Sequence, residues 1–410
     1  MSVARVNSAL IRKINTARLF HALRENPDIS QRRLAALTGI DAATVSIIAT
    51  QLEAGGIVQR GSVRRSGRAG RPEAALRLAP DGGWLIGAGI EPDVIRLVAT
   101  GLDGQVRARL NVAGTQSVDA ALAALRAGVD RLLADCGVDY ESLSGIGVGV
   151  PGLIDTAGQV LLAPNLGWRN VPVAGMLSDR FPVPVHVDND TKAAALAEHL
   201  FGDCRGVQDF IFIHGHSGIG GGVYLMGNLY RGAGGLAGEI GHMKIVPGGR
   251  PCGCGGRGCF EAYVSEPAIR LRLAEKGRTL ADAEVIARAA AIGDPVVLAV
   301  LAEAGEHLGF ALGNLINIFN PGRIVLGGNL AALAEHMLPA AHAVMAVNAL
   351  AVMQAGAGIL VSPLGNDSVP MGGVALAMDG FLGHPRILAQ VTQPRQPGQP
   401  EKALAETLSG

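Results

Sequence analysis

The first 80 residues alternate short helical patterns with turn signals. Apolar side chains recur at helical spacing over residues 7–23, and the run Asn-Pro-Asp at 26–28 ends that pattern. Ser30 can cap a second helix, Gly39 can make a tight turn, and Asp41 can cap a third helix. Three short helices with this spacing predict a helix-turn-helix unit.

Two short strands and a loop rich in arginine and glycine follow the third helix. Gly55 and Gly56 end that helix, and strands are predicted at 57–59 and 74–78. The run 64–72, Arg-Arg-Ser-Gly-Arg-Ala-Gly-Arg-Pro, lies between them and spaces its guanidinium groups with glycine. Because this composition suits insertion into a narrow minor groove, the segment predicts a wing attached to the helix-turn-helix.

Five residues of this region are candidates for contact with DNA. Short side chains near the start of the third helix let a helix lie deep in the major groove, and arginines in a wing reach the minor groove. The candidates are Ala43, Thr44 and Ser46 on the helix and Arg68 and Arg71 in the wing. Three-helix units also serve as structural bundles, so the alternative is a structural module with a solvated basic face.

From residue 84 onward the patterns are those of an α/β protein. Three apolar strands are predicted at 84–89, 94–100 and 106–112, and they form an antiparallel meander that begins a mixed sheet. A helix at 118–136 and a buried strand at 145–150 follow. A glycine-punctuated strand pair recurs at 210–213 and 221–225. This recurrence suggests two related halves with a ligand between them.

The chain therefore divides into three predicted parts. Residues 1–80 form a winged helix-turn-helix head, and residues 81–382 form an α/β body. Beyond residue 380 four prolines and four glutamines accumulate while the apolar pattern fades. Residues 383–410 are accordingly expected to be a disordered tail.

Charge is distributed unevenly along the chain. The 410 residues carry 35 Lys and Arg against 35 Asp and Glu, but residues 1–80 hold 13 of the basic and only 5 of the acidic ones. The head thus has a net charge of +8 and the remainder −8. A basic head suits a polyanion such as DNA, because neutralising phosphates releases counterions.

Apolar content bears on location as well as on folding. At 49% it is ample for buried cores, yet no stretch reaches the roughly 18 uninterrupted apolar residues of a membrane span. Basic residues near the N-terminus are not followed by the long apolar segment of a signal peptide. We therefore expect a cytoplasmic protein without membrane insertion.

Three of the five cysteines crowd into one glycine-rich loop. Cys252, Cys254 and Cys259 lie within eight residues, and the glycines between them permit the turns that direct three thiolates at one ion. His242, ten residues upstream, can complete a tetrahedron. A Cys₃His set without an open position favours structural zinc over catalytic zinc. The alternative is three reduced surface thiols.

Several motifs of the body occur in an order and spacing that identify a family. They are Asn165-Leu-Gly-Trp168, Asp188-Asn-Asp190, Gly218-Ile-Gly-Gly-Gly222, Glu239-Ile-Gly-His242 and the run from Cys252 to Glu261. Together they resemble ROK proteins (repressor, open reading frame, kinase), and the head is similar to that of the repressors in this family. The resemblance implies a two-lobed, actin-like (ribonuclease-H-like) ATPase fold with a sugar in its cleft. A zinc loop at 242–261 would carry part of the sugar site.

The same motifs imply which residues face the sugar. Sugar hydroxyls need acceptors and amides at fixed positions, and the motifs supply such groups. The predicted sugar-binding residues are Asn165, Asn189, Asp190, Glu239, His242 and Glu261. Taken singly, each could be an ordinary structural hydrogen-bonding group. Asp190 matches the position of the catalytic base in the family's kinases.

Two departures from the kinase pattern argue against phosphoryl transfer. The first phosphate loop of the kinases resembles Asp-x-Gly-Gly-Thr, whereas residues 89–93 read Gly-Ile-Glu-Pro-Asp, and proline has no backbone N–H. In the second loop His216 and Ser217 stand where the family's kinases commonly have Gly and Thr, a milder change because Ser217 keeps a hydroxyl group. No catalytic residue is therefore expected, and Asp190 should bind ligand without transferring phosphate. Lys192, at a position where the family has Asn, could meet an anionic ligand or a neighbouring carboxylate.

These observations predict a repressor of carbohydrate-metabolism genes that binds a double-stranded DNA operator under the control of a sugar or sugar derivative. Because such operators are two-fold symmetric, a homodimer or homotetramer is expected. Two alternatives stay open from the sequence. One is an ATP-dependent sugar kinase, and the other is a regulator controlled by a protein partner rather than by a free sugar.

Overall fold

The structure, a computed structural model, describes residues 8–61, 75–354 and 356–383. The predicted wing residues Arg68 and Arg71 and the predicted tail after residue 383 lie outside these ranges. Within them the chain forms two compact units, which are described separately below as the head and the body.

The two units divide the chain in an interleaved way. Of the described residues, the head contains 8–61, 75–84, 101–105 and 379–383. The body contains Leu85–Thr100 and Val106–Met378. A short turn and the end of the last helix therefore belong with the N-terminal residues.

Three helices and a three-stranded antiparallel sheet make up the N-terminal part of the head. The elements are α1 (Ser8–Glu25), β1 (Ile29–Ser30), α2 (Gln31–Thr38), α3 (Ala42–Ala54), β2 (Val58–Arg60) and β3 (Ala75–Leu78). The predicted helices and strands are confirmed to within two residues. β1, which pairs with β3, is not visible in the sequence pattern because two residues are too few to establish a period.

The predicted caps are present at the turn between α2 and α3. The Ser30 hydroxyl accepts a hydrogen bond from the backbone N–H of Arg33 at 3.4 Å, and Asp41 Oδ1 accepts one from that of Thr44 at 2.9 Å. Gly39 has φ 68°, a left-handed conformation that glycine adopts without steric cost. The chain bends by 118° between the two helices, as a helix-turn-helix requires.

A five-stranded mixed sheet forms the first half of the body. Its segment of chain contains β4 (Trp84–Ile90), β5 (Val94–Gly101), β6 (Val106–Ala113), α4 (Val118–Cys136), β7 (Leu143–Val150), β8 (Leu153–Ile154), β9 (Val160–Ala163), β10 (Trp168–Val171), α5 (Val173–Ser178), β11 (Val185–Asn189) and α6 (Asp190–Phe201). The strand order is β11-β7-β4-β5-β6, and β8 to β10 form a small separate sheet. The predicted meander and mixed sheet are confirmed.

The second half of the body holds another five-stranded sheet and most of the helices. Its elements are β12 (Phe210–Gly215), β13 (Ile219–Leu225), β14 (Asn228–Leu229), α7 (Glu261–Val264), α8 (Glu266–Glu275), α9 (Ala283–Ala291), α10 (Pro295–Phe319), β15 (Arg323–Gly328), α11 (Asn329–Asn348), α12 (Ala351–Gln354), β16 (Gly358–Val361) and α13 (Ser368–Gly383). The strand order is β14-β13-β12-β15-β16.

The two large sheets repeat one arrangement. Read from the other edge, the first sheet runs β6-β5-β4-β7-β11, which matches β14-β13-β12-β15-β16 strand for strand. In both sheets the first pair is antiparallel and the last pair is parallel. This repeat confirms the prediction of two related halves.

Helix α6 connects the first sheet to the second. A Cβ atom on Gly220 of β13 would lie 2.2 Å from Thr191 Oγ1 on α6, so only glycine permits this approach. The helix begins directly after β11 and packs against β12 and β13. Its first residue, Asp190, is therefore held where the two sheets meet.

Helices α10 and α11 cover the second sheet with an apolar core. By length and composition alone, both helices are long and apolar enough to cross a membrane. The bent pair α2 and α3 would also qualify if the two helices were counted as one span. Within the body, α10 buries Leu308, Leu312 and Ile316, and α11 buries Leu333 and Met337, in one core cluster. Packing in this core thus accounts for the apolar residues that α10 and α11 bury.

Candidate functional site

A cavity of about 1160 Å³ opens in the body. All six residues predicted to face a sugar line it, namely Asn165, Asn189, Asp190, Glu239, His242 and Glu261. They come from four separate segments of the chain, so only the fold brings them together. Their contact with a sugar stays a prediction.

Asn189 and Asp190 stand at the carboxyl end of a parallel strand, where open α/β sheets place their ligands. Asn189 Oδ1 accepts the backbone N–H of Lys192 at 3.0 Å and caps α6, while its Nδ2 donates to Asp190 Oδ1 at 3.0 Å. Asp190 Oδ1 also accepts the N–H of Thr191 at 2.7 Å. These bonds fix the orientation of the Asp190 carboxylate.

Glu239, His242 and Glu261 form a second polar group in the cavity. His242 Nδ1 lies 3.4 Å from Glu261 Oε1, and His242 Nε2 lies 4.0 Å from Glu239 Oε2. Partial removal from water raises the pKa of Glu239, and the charges of His242 and Lys192 oppose that rise. The two nitrogens of one imidazole therefore face two different carboxylates.

His242 also belongs to a cluster with Cys252, Cys254 and Cys259, whose ligand atoms all lie within 4.8 Å of one another. Cys254 Sγ is 3.7 Å from Cys259 Sγ, and Cys252 Sγ is 3.7 Å from His242 Nδ1. Ligands of a tetrahedral zinc ion with bonds near 2.3 Å stand about 3.8 Å apart. The cluster has the donor set and the spacing of a closed metal site and could hold such an ion.

The cysteine loop is in direct contact with the polar cavity residues. Cys252 Sγ donates to Glu261 Oε1 at 2.9 Å, and burial together with this bond raises the pKa of Cys252. Lys244 Nζ donates to Cys259 Sγ at 2.7 Å, which raises the pKa of Lys244. The position of Glu261 thus depends on how the loop is folded.

Two turns of the body face each other at the cavity. Glu91 follows β4 and His216 follows β12, and Glu91 Oε2 lies 3.0 Å from His216 Nε2. Arg96 Nε donates to the other carboxylate oxygen of Glu91, also at 3.0 Å. Asn165 Nδ2 donates to Ser217 Oγ at 2.7 Å beside them. A Glu91–His216 pair therefore joins the two turns.

The ammonium group of Lys192 has a hydrogen-bond partner within the protein. Its side chain is buried, at 2% exposure, and Nζ donates to the carbonyl oxygen of Gly235 at 2.5 Å. Burial lowers the pKa of Lys192, although the carboxylates of Asp188 and Glu239 favour its charged form. Lys192 does not line the cavity. This favours a role in balancing neighbouring groups over contact with an anionic ligand.

His214 is a cavity residue that the motifs do not reveal. It ends the apolar run of β12, lines the cavity and is 8% exposed. Its Nδ1 has no hydrogen-bond partner among the residues that the structure describes. Burial lowers the pKa of His214 and favours the neutral imidazole. In the sequence, His214 could have been noticed only as a single polar residue near the end of an apolar strand.

On the head, the described part of the predicted DNA surface lies at the start of α3. Ala43 and Ser46 are exposed there, while Thr44 is half-buried and donates its backbone N–H to Asp41. Ile47 is 53% exposed on the same stretch and is an additional candidate, since apolar side chains contact thymine methyl groups. Contact of these residues with DNA stays a prediction.

Family models match both parts of the chain. Residues 86–379 match the ROK family, and residues 13–69 match the MarR family. The first match covers more than half of the 410 residues. The chain belongs to the ROK family.

Individual relatives narrow the class further. The xylose repressor of Caldicellulosiruptor bescii is 30% identical over 396 residues, which are 92% of this chain and 99% of the relative. The crystal structure of a ROK family transcriptional regulator, a homologue of the Escherichia coli MLC protein, matches with a TM-score of 0.80 at 26% identity. It covers 93% of this chain and 99% of that chain.

A kinase relative matches only part of the chain. The ROK glucokinase from Streptomyces griseus in complex with glucose and AMPPNP has a TM-score of 0.65 at 29% identity and covers 72% of this chain and 99% of its own. Likeness to the xylose repressor and to the transcriptional regulator extends over 92–93% of this chain. The protein is therefore a DNA-binding transcription repressor of the ROK family, with a winged helix-turn-helix head and a kinase-fold body.

Proposed function

We propose that the protein represses carbohydrate-metabolism genes through operator binding by its head, and that a sugar or sugar derivative in the body cavity controls this binding. One observation carries the proposal. Six polar side chains singled out by motif line one cavity, in a chain that also carries a winged helix-turn-helix. The names of the xylose repressor and glucokinase relatives make aldoses the first ligands to test.

The cavity has complementary groups for sugar hydroxyls. Asp190 and Glu239 accept hydrogen bonds from hydroxyl groups when ionised, and Asn165 can both donate and accept. Hydrogen bonds to a charged acceptor are roughly twice as strong as neutral ones, so Asp190, with its fixed orientation, should dominate the affinity. Each aldose hydroxyl can donate to one of these carboxylates or accept from the Asn165 amide group.

The four-residue cluster would hold a structural zinc ion. His242 Nδ1 faces Cys252 Sγ, and when it serves as the ligand atom the ring proton resides on Nε2, on the side of Glu239 and the cavity. A bound ion would fix the loop through four ligands at once. His242 and Glu261 would thereby be oriented for the sugar, because both lie against the loop.

Phosphoryl transfer is not part of the proposed function. Glu91 and Pro92 occupy the turn after β4, so this turn presents a carboxylate and lacks one backbone donor where a polyphosphate would need a cradle of N–H groups. Asp190 is then a ligand-binding group. An ATP-dependent kinase is retained as an outcome of the experiments below.

Control of DNA binding requires two heads, and a surface of the body suits the pairing of two copies. Ile318, Val347, Leu350 and Val352 are exposed by 59–85% near the adjoining ends of α10, α11 and α12. Residues 343–366 contain no charged side chain. An uncharged apolar surface can face its own copy across a two-fold axis without repulsion. Sugar binding would change lobe closure or pairing, and with it the spacing of the heads on a two-fold operator.

A Val347→Asp variant is expected to weaken self-association at least about tenfold, because each copy would bury an unpaired carboxylate in the apolar interface. Sedimentation velocity over a range of protein concentrations measures the change. Ile292→Asp is the matched control, since Ile292 is 87% and Val347 85% exposed, but Ile292 lies between α9 and α10, outside the proposed surface. Equal behaviour of the two variants would contradict the assignment of this surface.

The central experiment is a DNA-binding titration at fixed salt with the fragment upstream of the protein's own gene. It is carried out without ligand and with D-xylose, D-glucose, other aldoses and their phosphates. A complex that one sugar abolishes or strengthens supports the proposal and identifies the effector. A complex that ignores every sugar favours control by a protein partner. Absence of any complex, together with ATP consumption in the presence of an aldose, favours the kinase.

An Ala43→Asp variant is expected to lose about 100-fold in operator affinity while remaining folded. A carboxylate at this exposed position would face DNA phosphates, and like-charge contacts cost several kcal/mol. The fold should tolerate it, because an acidic residue in the first turn of a helix interacts favourably with the macrodipole. Ala123→Asp, on an exposed position of α4 in the body, is the control. Anisotropy titrations of labelled operator measure both, and unchanged affinity of the Ala43 variant would exclude this face of α3.

A further inference from the structure

Two turns that belong to different sheets are joined by one ion pair at the cavity. Glu91 lies between β4 and β5 of the first sheet, and His216 lies between β12 and β13 of the second. The pair joins Glu91 Oε2 and His216 Nε2 at 3.0 Å. Both residues line the cavity. The contact therefore bridges the two halves of the body across the cleft.

Glu91 is held in place more firmly than His216. Arg96 on β5, in the same sheet as Glu91, donates Nε to the second oxygen of the carboxylate. Glu91 is 18% exposed, whereas His216 is 39% exposed. The carboxylate is thus fixed to the first sheet through a cation that keeps its charge at all ordinary pH values. The imidazole is the partner whose charge can change near neutrality.

The groups around His216 are mostly acidic. Besides Glu91, it faces the carboxylates of Asp190 at the start of α6 and Glu266 at the start of α8. The hydrogen bond with Glu91 and these charges raise the pKa of His216, although burial opposes the rise. Its other titratable neighbour, His214 on β12, has a pKa lowered by burial and so adds little repulsion.

We propose that Glu91 and His216 form a proton-dependent clasp between the two sheets, which closes this end of the cleft when His216 is protonated and releases it when His216 is neutral. The clasp is independent of which sugar, if any, the cavity binds. The clasp places a direct contact between the two turns that differ from the kinase pattern. Closure of these turns would then need a proton rather than a bound polyphosphate.

The pH range follows from the two partners. For His216, a pKa raised in the folded state gives a stabilisation that is complete below the unfolded value of about 6.5 and is lost as pH rises through the folded value. Burial works against ionisation of Glu91, but the neighbouring His216 and Arg96 lower its pKa overall. Its contribution is therefore lost only in acid. The clasp should hold in the mildly acidic range and open on the alkaline side.

A double-mutant cycle of full-length protein tests the clasp, with Glu91→Gln, His216→Gln and the double variant. At about pH 6 the two substitutions should be coupled, by about 2 °C in the thermal midpoint, and at about pH 8.5 the coupling should fall several-fold, because a neutral imidazole keeps at most one uncharged hydrogen bond. His342→Gln, an exposed histidine on α11, controls for loss of a histidine as such.

Amide hydrogen exchange separates a clasp from an ion pair that merely stabilises its own turn. At about pH 6, Glu91→Gln alone should speed exchange several-fold in peptides covering both turns, including the turn at His216 on the other sheet. At about pH 8.5, after correction for the intrinsic rate, wild type and variant should agree. The proposal would be overturned by equal coupling at both pH values or by no coupling at either. It would also be overturned if exchange became faster only in the turn that carries the substitution.

Discussion

An Asp190→Asn variant is expected to keep its affinity for operator DNA and to lose about 10- to 100-fold in affinity for the aldose that the titration identifies. Asparagine has the same shape, and its Oδ1 can still accept the N–H of Thr191. It replaces a charged acceptor by an amide group that cannot accept at its nitrogen, which removes a charge-assisted hydrogen bond worth about 1.5–3 kcal/mol. The head, which would contact the DNA, is a separate unit.

Calorimetric titration with the aldose and anisotropy titration with the operator measure the two affinities separately. Asp135→Asn is the matched control, because it makes the same change in charge at a position on α4 that is 57% exposed. The Asp190 variant should act as a repressor that its sugar no longer controls. Unchanged aldose affinity would show that Asp190 is a structural cap of α6 and would remove it from the sugar site.

A Cys254→Ser variant is expected to lose its metal and its response to sugar together. Elemental analysis should fall from about one zinc ion per chain to almost none, because a neutral hydroxyl replaces one of four ligands in a closed site. The loop would then no longer hold His242, and Glu261 would lose its fixed contact with Cys252. Affinity for the operator in the absence of sugar should be unchanged, since the head contains none of these residues.

Cys136→Ser controls for the loss of a thiol, since Cys136 is a half-buried cysteine at the end of α4, far in sequence from the loop. It should keep the metal and the sugar response. If wild-type protein that was purified in the presence of a reductant contains no zinc, the metal assignment is refuted. A variant that loses zinc but still responds to sugar would separate the metal from the sugar site and leave the latter intact.

The helix caps and the turn of the head could be predicted because each depends on residues that are adjacent in the sequence. The Ser30 and Asp41 caps and the left-handed turn at Gly39 each depend on hydrogen bonds within a few positions, and the structure has all three. Strand β1 escaped prediction because its two residues are defined by their partner β3 rather than by their own pattern. The wing arginines lie outside the described residues, so their role stays a prediction.

The candidate site was predictable as a set of residues but not as an arrangement. Motifs identified six polar positions, and the structure brings all of them to one cavity. No motif indicated His214 or the pairing of Glu91 with His216, since 125 positions separate these two partners in the sequence. Lys192 was ambiguous from sequence, and only its bond to the Gly235 carbonyl favours one alternative.

The sequence by itself determined the helix-turn-helix, the first strands and helix of the body, the cysteine cluster and the family, because periodicity, caps and short motifs act over a few residues. The tertiary structure decided which distant groups meet: α6 against the second sheet, the cysteine loop against Glu261, and Glu91 against His216. Burial and long-range electrostatics arise only when separate segments are packed together. Side-chain charge, exposure and partner choice at the cavity are therefore properties of the fold rather than of any local run of residues.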